Sequence, residues 1–225
     1  MLRCSNRRSD ELVLGTHSLI VSPAERSGAN CHTLDRHLAP EFVIGHEMTP
    51  VLDSRLVAPR FTLADAERAG DEWGFNCGPA AIAAMNGLTI EELRPHLGDF
   101  EQKRYTNPTL MWSILRSVGA RWRVRKGGQW PEYGLVRVQL EGPWTAPGVP
   151  IAARYRHTHW VGSMLLLDGC EEQNVFDINC ICLGGWVPLV EWSSYVVPWL
   201  LKQAEPKASG AWHPTHFVEI ERSEM

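Results

Sequence analysis

The chain has 225 residues, 44% of them hydrophobic, and a net charge of −4. That length can bury one sizeable core, or one domain with an appendage. The near-balance of charge offers no electrostatic basis for binding nucleic acid or an anionic membrane, and no apolar run approaches the roughly 20 residues of a membrane span. Met1–Arg8 is not followed by the apolar segment of a signal peptide, and the six cysteines are scattered without the spacing of a small disulfide scaffold. The expectation is a soluble protein of a reducing cytoplasm.

Residues 1–47 carry little periodic pattern. They hold Cys4, Cys31 and four of the nine histidines (His17, His32, His37, His46) at spacings that match no compact zinc motif. The segment reads as an extension, dispensable for folding, on a domain spanning residues 48–225. From Pro59 the signals sharpen. Thr62-Leu63-Ala64-Asp65 has the form of a capped helix start, with the helix running to Trp73. Gly74-Phe75-Asn76-Cys77-Gly78-Pro79 then leads into Ala80–Met85, with Pro79 suited to a first helical turn and Gly87 to a left-handed end. Thr89-Ile90-Glu91-Glu92 is a capping box for a brief helix that Pro95 curtails. Asn107-Pro108 starts a further helix with Leu110, Ile114, Leu115 and Val118 on one face and Gly119 at its end.

After Gly119 the period changes. Trp122–Arg125 and Leu135–Leu140 alternate polar with apolar, as half-buried strands do. Pro143–Pro150 is a loop. Ile151–Tyr155, Trp160–Leu167 and Asn174–Ile178 are strand candidates, Leu189–Gln203 a helix bent at Pro198, and Phe217–Ile220 a closing strand. Helices first and antiparallel strands afterwards predict an α+β fold, with the N-terminal helices packed on an antiparallel sheet.

Cys77 is predicted at a helix N-terminus, where partial positive charge favours a thiolate; a small buried apolar residue is the plainer alternative. A thiol nucleophile needs a base within hydrogen-bond reach, and the base an orienting acceptor. His159 opens the strand Trp160–Leu167, and Asp177 lies at the end of the next strand candidate, between Phe176 and Ile178. Adjacent strands can bring Asp177 to His159, fixing the tautomer of the ring and stabilising the imidazolium that pairs with the Cys77 thiolate. A slipped register would present Asn179 instead. The rivals are His216, which also precedes a strand, and His157, two positions from His159 on the same strand face. Cys170, Cys180 and Cys182 suggest zinc only weakly, because a C-x-C pair lacks knuckle spacing, and no cofactor is expected. The ten tryptophans could line a groove but fit a core and its rim. Arg154 and Arg156 flank the site, either for an acidic substrate or as solvated residues.

Asn76-Cys77-Gly78-Pro79-Ala80-Ala81, His159-Trp160-Val161 and Asp177-Ile178-Asn179 together resemble the Cys–His–Asp order of papain-like cysteine peptidases, closest in flavour to bacteriocin-leader peptidase domains. The strings Tyr105–Trp112 and Arg156–Val161 are also similar to those of uncharacterised bacteriophage and prophage proteins. The resemblance covers residues 60–221. It implies a papain-like fold with Cys77 as nucleophile, His159 as base and Asp177 as orienter. Such peptidases carry a Gln six positions before the Cys that helps to hold the oxyanion; here that position is Asp71, a poor donor. The Cys77 backbone N–H can supply one donor, leaving Asn76, Trp73 or Gln129 for the second. Three functions follow: a thiol hydrolase acting on a protein or peptide substrate, a transferase or deamidase on the same residues, or a non-catalytic binding or assembly protein.

Overall fold

The structure is a computed structural model and describes residues 55–168 and 170–222. Among the described residues, five α-helices precede the first strand, further helical segments fall between the later strands, and six strands form a single sheet in the order β1-β6-β2-β3-β4-β5 with every neighbouring pair antiparallel. This is the α+β class that the element order implies. The expected extension over residues 1–47 lies outside the described residues.

Helix α1 (Leu63–Trp73) starts from a reciprocal capping box: the Thr62 hydroxyl accepts from the Asp65 backbone N–H, and the Asp65 carboxylate from that of Thr62. It ends at Gly74, φ 84°, a left-handed position open to glycine. Helix α2 (Cys77–Met85) is buried along its whole length, which explains why its sequence is apolar on every side. Its end folds back so that the Leu88 N–H donates to the Ala83 carbonyl at 2.9 Å, with Gly87 left-handed at φ 60°. The capping box at Thr89 starts α3 (Ile90–Leu93), and Pro95 falls in the tighter 3-10 turn after it. Helix α4 (Phe100–Lys103) is a single turn that the sequence pattern did not signal. Asn107 caps α5 (Pro108–Ser117), whose Leu110, Met111, Ile114 and Leu115 are buried.

Strand β1 is Trp122–Arg125 and β2 is Tyr133–Leu140; β3 (Thr158–Asp168) and β4 (Cys170–Phe176) form a hairpin, β5 is Trp186–Pro188 and β6 is Trp212–Ile220. On one face, Leu135, Trp160, Met164, Phe176 and Val218 pack against α1, α2 and α5. On the other, Val136, Val138, Val161, Val175 and Phe217 pack against Trp192, Val196, Val197 and Leu200 from the C-terminal helical segment. That segment is α7 (Leu189–Glu191), a π-helical stretch (Trp192–Val196) and α8 (Val197–Gln203), the widened turn falling just ahead of Pro198. Helices thus cover both sides of β2, so its residues from Gly134 to Leu140 are all buried, not alternating as the sequence reading expected.

Two strand expectations are corrected. Ile151–Tyr155 forms no strand: Ile151–Arg154 is one helical turn, α6, with no buried residue. Pro150 fixes a φ of −55° ahead of two alanines, and no sheet partner is offered, so local propensity decides. The candidate Asn174–Ile178 stops as a strand at Phe176; the chain then turns into a 3-10 helix (Ile178–Leu183) with Asp177 as its cap. Asp177 is therefore a capping residue just beyond the sheet rather than a strand residue.

Candidate active site

Cys77 is the first residue of α2 and is 4% exposed. Asn76 fixes that start from both ends of its amide: Oδ1 accepts from the Gly78 N–H at 3.3 Å, and Nδ2 donates to the Arg104 carbonyl at 3.0 Å. Arg104 reaches this position in a left-handed conformation, φ 61°, uncommon for a residue with a side chain. Thr106 continues the wrap. Its side chain lies so close to Gly78 that a Cβ there would meet Thr106 Oγ1 at 2.2 Å, so the residue after Cys77 is a glycine for reasons of space. The Thr106 carbonyl accepts from Trp160 Nε1 at 2.8 Å, tying the start of α2 to β3 one residue past His159.

His159 lies near the start of β3, opposite Val138, and is 6% exposed. Its Nε2 donates to Asp177 Oδ2 at 2.8 Å. Cys77 also acts on the ring, its charge helping to raise the imidazole, and Nδ1 is the nitrogen that Asp177 leaves open. Asp177, fully buried, saturates both carboxylate oxygens. Oδ2 accepts from His159 and from Trp192 Nε1 at 2.8 Å, and Oδ1 from the Asn179 backbone N–H at 2.9 Å and Asn179 Nδ2 at 2.8 Å. Burial alone would push the Asp177 carboxyl upward, but His159, Trp192 and Asn179 together hold it below the ordinary carboxylate value. Burial likewise works against a charged His159, yet the charges of Asp177 and then Cys77 override it, and the imidazole is pushed up to about 10. A thiol, an imidazole and a carboxylate thus stand in line, with the proton shared among them sheltered from solvent.

The other sequence candidates fall elsewhere. Asn179 contacts the carboxylate of Asp177, so the register is not slipped. Asn76 Oδ1 serves the cap, and one N–H of its Nδ2 goes to the Arg104 carbonyl. Trp73 is buried among Phe75 and Phe100, with Arg94 over its ring. Gln129 is exposed on the turn between β1 and β2, and β2 begins opposite Met164, well along β3 from His159. Asp71 is exposed on α1. His216 lies on β6 opposite Arg137, and burial, then the Arg137 charge, lowers its pKa. His157 packs against the Trp144 ring, centroids 4.4 Å apart. Cys180 is a buried thiol whose pKa is raised by burial and by Asp177, and among the described residues no group of three His, Cys, Asp or Glu is placed to hold a metal ion.

The sequence reading missed Trp192 and Thr106. Trp192 is one of ten tryptophans and carries no local mark, since its role arises only when the C-terminal segment folds over the sheet. Thr106 lies within the Tyr105–Trp112 string, where Asn107 and Pro108 drew attention as a helix start. Among the described residues no helix is long and apolar enough to cross a membrane. Comparison of the chain with protein-family models, with curated proteins and with solved structures finds no match.

Proposed function

We propose that the chain is a papain-like thiol hydrolase of the cytoplasm that cleaves a peptide, isopeptide or other amide bond in a protein or peptide substrate. The observation that carries this reading is the single imidazole held between Cys77 and Asp177 at the start of a buried helix. His159, charged at neutral pH, stabilises the Cys77 thiolate. The sulfur attacks the carbonyl carbon, the C–N bond breaks as the proton on His159 Nδ1 passes to the departing amine, and an acyl-enzyme remains. Water, deprotonated by the now neutral His159, then releases the acid and restores the thiolate. The helix N-terminus and the Cys77 backbone N–H face the charge that develops on the carbonyl oxygen. Transfer or deamidation uses the same intermediate with a different acceptor or leaving group.

A second reading, a bacteriophage binding or assembly protein that keeps the fold without turnover, draws on Asp71, which stands where such peptidases carry an oxyanion-holding Gln. The two separate on incubation with p-nitrophenyl acetate followed by peptide mass spectrometry. A hydrolase acquires an acetyl group on Cys77 faster than glutathione does, and then loses it; Cys77→Ser acquires none there. Acetylation no faster than that of glutathione, or an acetyl group that persists, supports the binding protein.

A further inference from the structure

Beside the Cys77 site, the side of the sheet that packs against α1, α2 and α5 carries a cation, Arg137, that the Cys–His–Asp line does not use. Arg137 of β2 lies opposite Trp160 of β3 and His216 of β6. Its guanidinium donates to Thr158 Oγ1 at 3.1 Å, and its Cζ lies 5.1 Å from the centre of the Tyr155 ring. Thr158 immediately precedes His159. The far end of α2 sits over Gly162, where an added Cβ would meet Met85 Sδ at 2.7 Å. From Met85 back to Cys77 the helix covers about 12 Å, the length of three to four strand residues. Cys77 therefore stands level with Thr158 and His159, and the guanidinium tied to Thr158 shares that level, on a strand about 5 Å to the side.

The strip next to this cation is aromatic: Trp112 and Trp160 each have their rings within 6.5 Å of His216 and lie 6.3 Å from each other. The segment from Ile151 to Arg156 is exposed throughout and supplies Tyr155, while its Arg154 Nε donates to the Val149 carbonyl at 2.9 Å. The carboxylates at this end of the sheet are already engaged, Glu141 with His213 and Asp177 with His159. An arginine fork matches a carboxylate in shape and charge, and a low-dielectric wall strengthens the pairing.

We propose that Arg137 sets the specificity of the Cys77 site by binding a carboxylate that the substrate carries one residue away from its reacting carbonyl, Tyr155 swinging off the guanidinium to admit it. This rests on the thiol-hydrolase reading. The alternative is that Arg137 only ties down the start of β3 through Thr158.

The test compares N-acetyl-glutamyl-glycyl chloromethyl ketone with its glutaminyl counterpart. In both, the Cys77 sulfur displaces chloride, forming a C–S bond as the C–Cl bond breaks, so the ratio of the two rates on one protein cancels any change in thiol reactivity. The wild type is expected to react about tenfold or more faster with the glutamyl probe, and Arg137→Gln to bring the ratio close to one. A wild-type ratio near one overturns the proposal, and so does a preference that survives in Arg137→Gln. If that variant does not fold, Arg137→Lys decides: loss of the planar fork should lower the ratio about threefold or more, and an unchanged ratio counts against the assignment. If both probes label Cys77 no faster than glutathione, the thiol-hydrolase reading itself fails and takes this proposal with it.

Discussion

Replacing Asp177 by Asn keeps the shape of the side chain and tests the polarity of the whole line. In the wild type each carboxylate oxygen accepts from two donors: Oδ1 from the backbone and side chain of Asn179, Oδ2 from His159 Nε2 and Trp192 Nε1. An amide has one oxygen and one NH2, so in either orientation its NH2 faces two donors. The least costly escape is for His159 to lose its charge and accept at Nε2, which moves its remaining proton to Nδ1, facing the sulfur. That tautomer cannot take the thiol proton. Cys77 then titrates like an ordinary thiol with a pKa of about 8.5, of which only about 3% is thiolate at pH 7. Alkylation by iodoacetamide at that pH should fall roughly thirtyfold, and its pH profile should move up to that value. Folding should weaken as well, by up to about 3–5 kcal/mol, the scale of breaking a buried ion pair from one side. The assay must resolve sites by peptide mass spectrometry, because Cys182 is partly exposed. An Asp177→Asn protein that is folded and alkylates at Cys77 like the wild type at pH 7 would refute this reasoning.

Other expectations follow from the same contacts. His159 is raised from 6.5 to about 10, so its contribution to stability is complete below pH 6.5 and lost as pH climbs through 10. Asp177 is lowered from 3.8, so its contribution is present above that pH and lost as pH falls further. Urea unfolding across this range should show a maximum between the two limits, and stability that rises steadily into alkali would contradict the pairing. Trp192→Phe keeps an aromatic ring but removes one donor to a buried carboxylate, a loss of about 1.5–3 kcal/mol on unfolding; an unchanged midpoint would mean the indole contributes only bulk. Gly78→Ala sets a Cβ 2.2 Å from Thr106 Oγ1 and 2.6 Å from Thr106 Cβ. Overpacking of that kind should lower stability by about 1–3 kcal/mol, and a variant as stable as the wild type would show that the Thr106 segment yields easily.

The sequence was most legible where chemistry is local. Thr62 with Asp65, Thr89 with Glu92, and Asn107 with Pro108 mark their helix starts, because caps are settled within four residues. Gly87 and Gly119 similarly take left-handed conformations at helix ends. Cys77, His159 and Asp177 could be singled out because each stands at an element boundary. What links them is non-local. Burial of β2 on both faces depends on a helical segment about 60 residues further on, so its pattern suggested one solvated face. The turn at Ile151–Arg154 departs from the strand expectation for the opposite reason: a short apolar run has no intrinsic strand identity without a partner to pair with. Asp177 as a cap, and Trp192 as its donor, require the sheet and the C-terminal segment to be in place together.

The pH dependence of Cys77 alkylation, followed by peptide mass spectrometry in the wild type and in His159→Ala, tests the central claim most directly. The account predicts that the wild type reacts fully well below pH 8, and that His159→Ala displaces the profile upward to about 8.5, that of an ordinary thiol. A wild-type profile already centred there, or a displacement produced by His216→Ala and not by His159→Ala, would contradict it.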